Sequence, residues 1–116
     1  MSTGRVATLQ LAATTLTTAY QVPSGYYGVY NVSFTNTTSS AVTIRLAVST
    51  SGGATPTPSA SEYYEYGTTI VPNGVFERTG IVIGSSLYIL AYASAGTAGL
   101  GTAVNVNVYG IETSTQ

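Results

Sequence analysis

Four glutamates, three arginines and ten tyrosines carry whatever chemistry this chain can perform. The glutamates are Glu62, Glu65, Glu77 and Glu112; the arginines are Arg5, Arg45 and Arg78. Histidine, cysteine, lysine and aspartate are all missing. That removes the usual general base, the commonest metal ligand and the thiolate nucleophile, so most nucleophile–base pairs cannot be built. Paired carboxylates hydrolyse glycosides when a cleft holds them several ångström apart. Glu62 and Glu65 have an odd spacing, which puts them on opposite faces of a regular strand. Glu77 stands beside Arg78 just after a turn. The expectation for these carboxylates is a solvated or salt-bridged role, with no catalytic residue. No Asp/Asn-rich loop surrounds them, so no calcium cage is expected, nor any other metal or cofactor site.

Tyrosine is the other reactive-looking type. The rings cluster at Tyr26, Tyr27 and Tyr30, and again at Tyr63, Tyr64 and Tyr66. Tyrosine buries a large ring and keeps a polar tip, so it serves strand cores, protein interfaces and stacking on sugars. The candidate interface residues are Tyr26, Tyr27, Tyr63 and Tyr64. Leu9 and Leu11 in the N-terminal stretch join them, as does Leu100, the apolar residue of a Gly/Ala-rich loop.

Strands must position all of these. Val42, Ile44, Leu46 and Val48 alternate with Thr43, Arg45, Ala47 and Ser49. Val104, Val106 and Val108 alternate with Asn105, Asn107 and Tyr109. Period 2 with one apolar face predicts antiparallel strands over a core. Leu87–Ala93 is apolar on both faces, as suits a central strand. Pro23-Ser-Gly25 and Pro72-Asn-Gly74 are turn signals. Residues 49–61, with two Gly and two Pro, read as a long irregular loop. Strands are predicted over 6–12, 15–22, 27–35, 41–49, 62–70, 75–83, 86–93 and 103–111. Eight short strands at this spacing predict one all-β antiparallel sandwich with jelly-roll or Ig-like connectivity. Residues 16–116 form that domain. Residues 1–15 form a first strand or an N-terminal arm that pairs with a neighbouring subunit. No helical periodicity or internal repeat is visible.

Length and composition bound the rest. A chain of 116 residues fits one domain and can bury a core without staples. Charged residues make up 6% of it, against about 25% in ordinary soluble domains. A surface of Ser, Thr, Asn, Gln and Gly with net charge -1 repels itself little and favours association. Three arginines cannot neutralise a nucleic-acid backbone, so no nucleic-acid partner is expected. No stretch approaches membrane-spanning length, and Thr8 and Gln10 interrupt the first apolar run, so neither a membrane partner nor a signal peptide is expected. The sequons at Asn31 and Asn36 read as chance.

One order of segments is distinctive: Tyr20-Gln-Val-Pro23-Ser-Gly25, Val42-Thr-Ile-Arg-Leu-Ala-Val-Ser49, Glu62-Tyr-Tyr-Glu65, Val71-Pro-Asn-Gly74, Glu77-Arg-Thr-Gly80-Ile-Val-Ile, Leu87-Tyr-Ile-Leu-Ala-Tyr-Ala-Ser94 and Val104–Glu112. From about Leu16 to Glu112 it resembles small virion structural proteins of tailed bacteriophages. The resemblance implies a β-sandwich in the virion, often trimeric, and Met1–Thr15 would suit an anchoring arm. The expectation is a non-catalytic capsid decoration (cement) protein. It would lie on the outer surface of the phage capsid, bound to the major capsid protein as a homotrimer, and would stabilise the head. The alternative is a tail or fibre module that binds host cell-surface carbohydrate through its tyrosines.

Overall fold

The computed structural model describes residues 3–97 and 99–115; Met1 and Ser2 of the N-terminal stretch, Ala98 of the Gly/Ala loop and Gln116 lie outside the described residues. The described chain forms eight strands: β1 (Thr3–Gln10), β2 (Thr17–Gln21), β3 (Tyr26–Asn36), β4 (Val42–Ser49), β5 (Tyr63–Ile70), β6 (Val75–Ile83), β7 (Tyr88–Ala93) and β8 (Val104–Ser114). The only helical element among these residues is a 3-10 turn at Ala60–Glu62. Every strand predicted from alternation is present, with ends displaced by a few residues.

Turn chemistry sets the joints. The Pro23–Tyr26 turn closes with Tyr26 N–H donating to Pro23 O at 3.2 Å, and Gly25 takes the positive φ of 85° that this turn requires. The Val71–Gly74 turn closes at 2.9 Å, and there Asn73, not Gly74, holds the positive φ, at 61°. Asparagine tolerates that region better than other non-glycine residues.

The strands divide into two four-stranded antiparallel sheets. The first has the order β1-β8-β3-β6, the second β2-β7-β4-β5. Each sheet alternates strands from the two halves of the chain, which is jelly-roll connectivity in a β-sandwich. Strand β7 lies between β2 and β4, which accounts for its two apolar faces. Strand β1 pairs antiparallel with β8 of the same chain, from Thr3↔Ile111 to Gln10↔Asn105. The stretch read as a first strand or an arm is thus the edge strand of its own sheet. Val6, Ala7 and Leu9 pack against the core there, and Leu11 is buried just beyond it.

Inward side chains of both sheets make one core. Tyr30, Val32, Phe34, Ile81, Ile83, Val104, Val106 and Val108 come from the first sheet; Val42, Ile44, Leu46, Ile70, Ile89, Ala91 and Ala93 come from the second. Of the seven residues whose alternation marked the core most clearly, Val48 alone is only half-buried. Burial at about 25 cal/mol per Å² of apolar surface is the main force holding the layers together.

Candidate functional site

Each glutamate is engaged by a different neighbour. The Glu62 Oε1 accepts from the Ser59 N–H at 2.8 Å and from the Ser49 hydroxyl at 2.7 Å, so this carboxylate caps the 3-10 turn and ties it to the end of β4. The Ser59 N–H, then the Ser49 hydroxyl, hold its carboxyl below the usual range. The Glu65 carboxylate accepts from Arg78 at 2.7 Å and from the Thr68 hydroxyl at 2.6 Å. This pair links β5 to β6, edge strands of different sheets. Glu77 accepts from the Tyr109 hydroxyl across β3, and that hydrogen bond is the largest cause of the raised Tyr109 pKa.

Glu112 departs from expectation. It was expected among solvated or salt-bridged carboxylates, yet it is 2% exposed in the core. The Tyr30 hydroxyl donates to its Oε2 at 2.7 Å, and the Tyr20 hydroxyl donates to the same oxygen. The two rings lie 5.9 Å apart. Burial, and then the bond to Glu112, raise the Tyr30 pKa. Two glycines make room for this. A Cβ on Gly28 would fall 2.7 Å from the Tyr30 ring, and one on Gly110 would fall 2.2 Å from the Val29 carbonyl oxygen. The sequence signal was Gly28 two residues before Tyr30 and Gly110 two before Glu112. Among the described residues, no three acidic side chains come close enough to hold a metal ion.

The outer face of the second sheet carries an aromatic ladder. Arg45 pairs with Tyr92 on one side and Tyr66 on the other. Its guanidinium lies 4.1 Å from the Tyr66 ring centroid and 4.3 Å from that of Tyr92. Tyr63 stands at 88° to Tyr66 with centroids 5.0 Å apart. Regular alternation would put Tyr63 and Tyr66 on opposite faces. The register shift opposite Leu46/Ala47 leaves Tyr64 as the extra residue and brings both rings to one face. Pro58, Ala60, Tyr63 and Tyr66 line an open groove of about 540 Å³.

The connection 50–62 lies along this same face. Gly52 packs against the Tyr88 ring, where a Cβ would sit only 2.2 Å from a ring carbon, and the Gly53 carbonyl accepts from the Thr18 hydroxyl at 3.0 Å. Beside it, outward-facing Ala47 and Leu90 are fully buried.

One end of the outer face of the first sheet is bare, while Asn31, Ser33, Asn107 and Tyr109 further along it are half-buried. Val82, Val29 and Ile111 are cross-strand neighbours on β6, β3 and β8, and they are 67%, 46% and 62% exposed. Tyr27 follows on the same face and is also exposed.

The candidate interface residues do not gather in one place. Tyr26 is half-buried against the core, while Tyr27 faces outward from the same strand. Tyr63 lines the groove, whereas Tyr64 leans towards Arg78, whose guanidinium lies 5.4 Å from its ring centroid. Leu100 is fully exposed in its loop; Leu9 is half-buried, and Leu11 is core, so Leu11 offers no free anchor. Arg45, Tyr66 and Tyr92 were not among the candidates. No protein-family model, curated protein or solved structure matches this chain.

Proposed function

We propose that the chain is a non-catalytic structural protein of a tailed-phage virion, a capsid decoration protein that binds the assembled head as a trimer. The observation that carries this reading is the bare row Val82–Val29–Ile111 with Tyr27, exposed on the outer face of the first sheet. Apolar surface of this kind marks contact sites on small domains. Jelly rolls recur in viral coat proteins and lectins, which supports the reading by analogy of fold alone. The carboxylates support the non-catalytic part, because each serves a structural neighbour. With β1 folded onto its own sheet, attachment falls to the bare row in place of an N-terminal arm. Partners are the major capsid protein and further copies of the chain.

Anything that binds only the assembled head raises its resistance to heat. Particles lacking the protein should therefore lose heat resistance, and adding purified protein back should restore it. Electron cryomicroscopy should then place copies at repeated positions on the head. Unchanged head stability with lost adsorption to host cells would replace this reading with that of a tail or fibre module binding surface carbohydrate. The tyrosine-lined groove favours that second reading.

A further inference from the structure

We infer that the groove beside Arg45 is a binding site for a carboxylated sugar, wherever in the particle the protein sits. Arg45 would take the sugar carboxylate, and the rings of Tyr66 and Tyr63 would take the apolar face of the pyranose.

Arg45 is the starting point. Two tyrosine rings hold the faces of its guanidinium, at 4.1 and 4.3 Å from their centroids. Such stacking fixes the plane and leaves the N–H donors at its edge available. Among the described residues, the only ion pair is Arg78–Glu65, and no hydrogen bond to an Arg45 donor occurs. A rigid, planar cation without a carboxylate suits a two-point contact with a carboxylate ligand.

The groove supplies the rest. Tyr66 both stacks on Arg45 and lines the groove, so the charge and the cavity adjoin. Tyr66 is 65% exposed, which leaves ring surface for a ligand. Tyr63, at 88° to it, makes a second wall, and Pro58 and Ala60 of the connection complete the lining. The volume of about 540 Å³ falls within the range of small-ligand sites. Ring stacking, hydroxyl donors and one fixed cation together describe an acidic sugar.

Other anions fit less well. An acidic peptide added as a strand would need a regular edge on β5, and the shifts at Tyr64 and Gly67 interrupt that edge. A nucleic acid would need several phosphate contacts, and a single arginine adjoins this groove.

The test uses the full purified chain and three probes: a uronate oligomer, a neutral glucose oligomer of equal length, and a glutamate-rich peptide. Side-chain NMR shifts of Tyr63, Tyr66 and Arg45 follow the titration in unaltered protein, so the result does not depend on a variant folding. The uronate oligomer should shift these signals saturably, and added salt should weaken it. Arg45→Gln should weaken binding by about tenfold or more, because a charge-assisted contact is lost. Arg45→Lys should recover only part, since an ammonium is not planar. A thermal melt of each variant confirms that it is folded. Equal binding of the neutral oligomer would overturn the role of Arg45. Binding of the peptide without the uronate would make this a protein-docking surface and overturn the proposal. Absence of any saturable shift with the uronate would overturn it too.

Discussion

Val29 and Leu90 hold equivalent places in the two sheets. Each lies on an interior strand, with its side chain on the outer face of a four-stranded layer. Val29 is 46% exposed and Leu90 is fully buried. The strands themselves do not decide this, because both carry apolar residues outward. The connection decides it. Residues 50–62 pass along the second sheet at Tyr88 and Thr18, while Val82, Val29 and Ile111 of the first stay exposed. One face is thereby closed by the protein's own chain and sculpted into a groove. The other is left for something else to cover.

The largest expected effect tests that contrast directly. Leu90→Ala should cost about 2–5 kcal/mol of stability, as buried leucines do. Val29→Ala in the isolated chain should stay within about 0.5 kcal/mol, the usual range for surface positions. Urea unfolding midpoints at matched slope would measure both. At a dilution where the chain is monomeric, equal losses would mean that Val29 is packed by its own chain as Leu90 is, and the comparison would break.

Glu112 bridges the layers from inside. Tyr20 comes from the second sheet, Tyr30 and Glu112 from the first. Tyr30→Phe removes one hydroxyl from a buried acceptor and should cost about 1–3 kcal/mol. The pH dependence follows in sign. Folding raises the Tyr30 pKa, so its contribution is fully present below the unfolded value of about 10 and is lost as pH rises beyond it. Chemical denaturation across alkaline pH should show that fall in the unaltered chain and a shallower one in Tyr30→Phe. Tyr109 provides the matched case on the outer face of the first sheet, where Tyr109→Phe should flatten the profile much less.

A narrower test concerns the connection itself. Gly52→Val would drive a side chain into the Tyr88 ring, and overpacking of this kind costs about 1–3 kcal/mol. If residues 50–62 close the second face, amide hydrogens of β7 should exchange faster in this variant, while those of β3 stay unchanged. Equal exchange in both strands would mean that the damage is global.

Eight strands were legible because half-buried strands alternate. Val104, Val106 and Val108 needed no more than that. Jelly-roll and Ig-like connectivity stayed open, since period 2 says which face a residue takes and nothing about which strand lies beside it. The fate of the first strand stayed open for the same reason. The groove was half legible. Tyr63 was read as a candidate, but Arg45 looked like one polar step in an alternating strand. Tyr66 was hidden by an extra residue in β5, because a bulge changes face parity and leaves no clear mark in local composition. Glu112 sits in a run of outward-looking residues, and only its spacing from Gly110 hinted at the tyrosine slot.

The smallest expected effect on the isolated chain falls on the bare row, and it is the most telling for function. Val82 and Ile111 flank Val29 on neighbouring strands, and both are more than 60% exposed. Replacing both with serine removes branched side chains that touch mostly water, so stability of the monomer should move by less than about 0.5 kcal/mol each. Serine has weaker strand preference than valine or isoleucine, which sets the sign as slightly destabilising. Association should respond quite differently, because apolar side chains at the centre of a contact contribute through the area they remove from water. Light scattering should show the unaltered chain as an oligomer and the double variant with a lower mass at the same concentration. Add-back to particles lacking the protein should show weaker retention of the variant at equal fold stability. If mass and retention are both unchanged, the row is surface that nothing covers, and contact must run through the Leu100 loop or the Tyr64 edge.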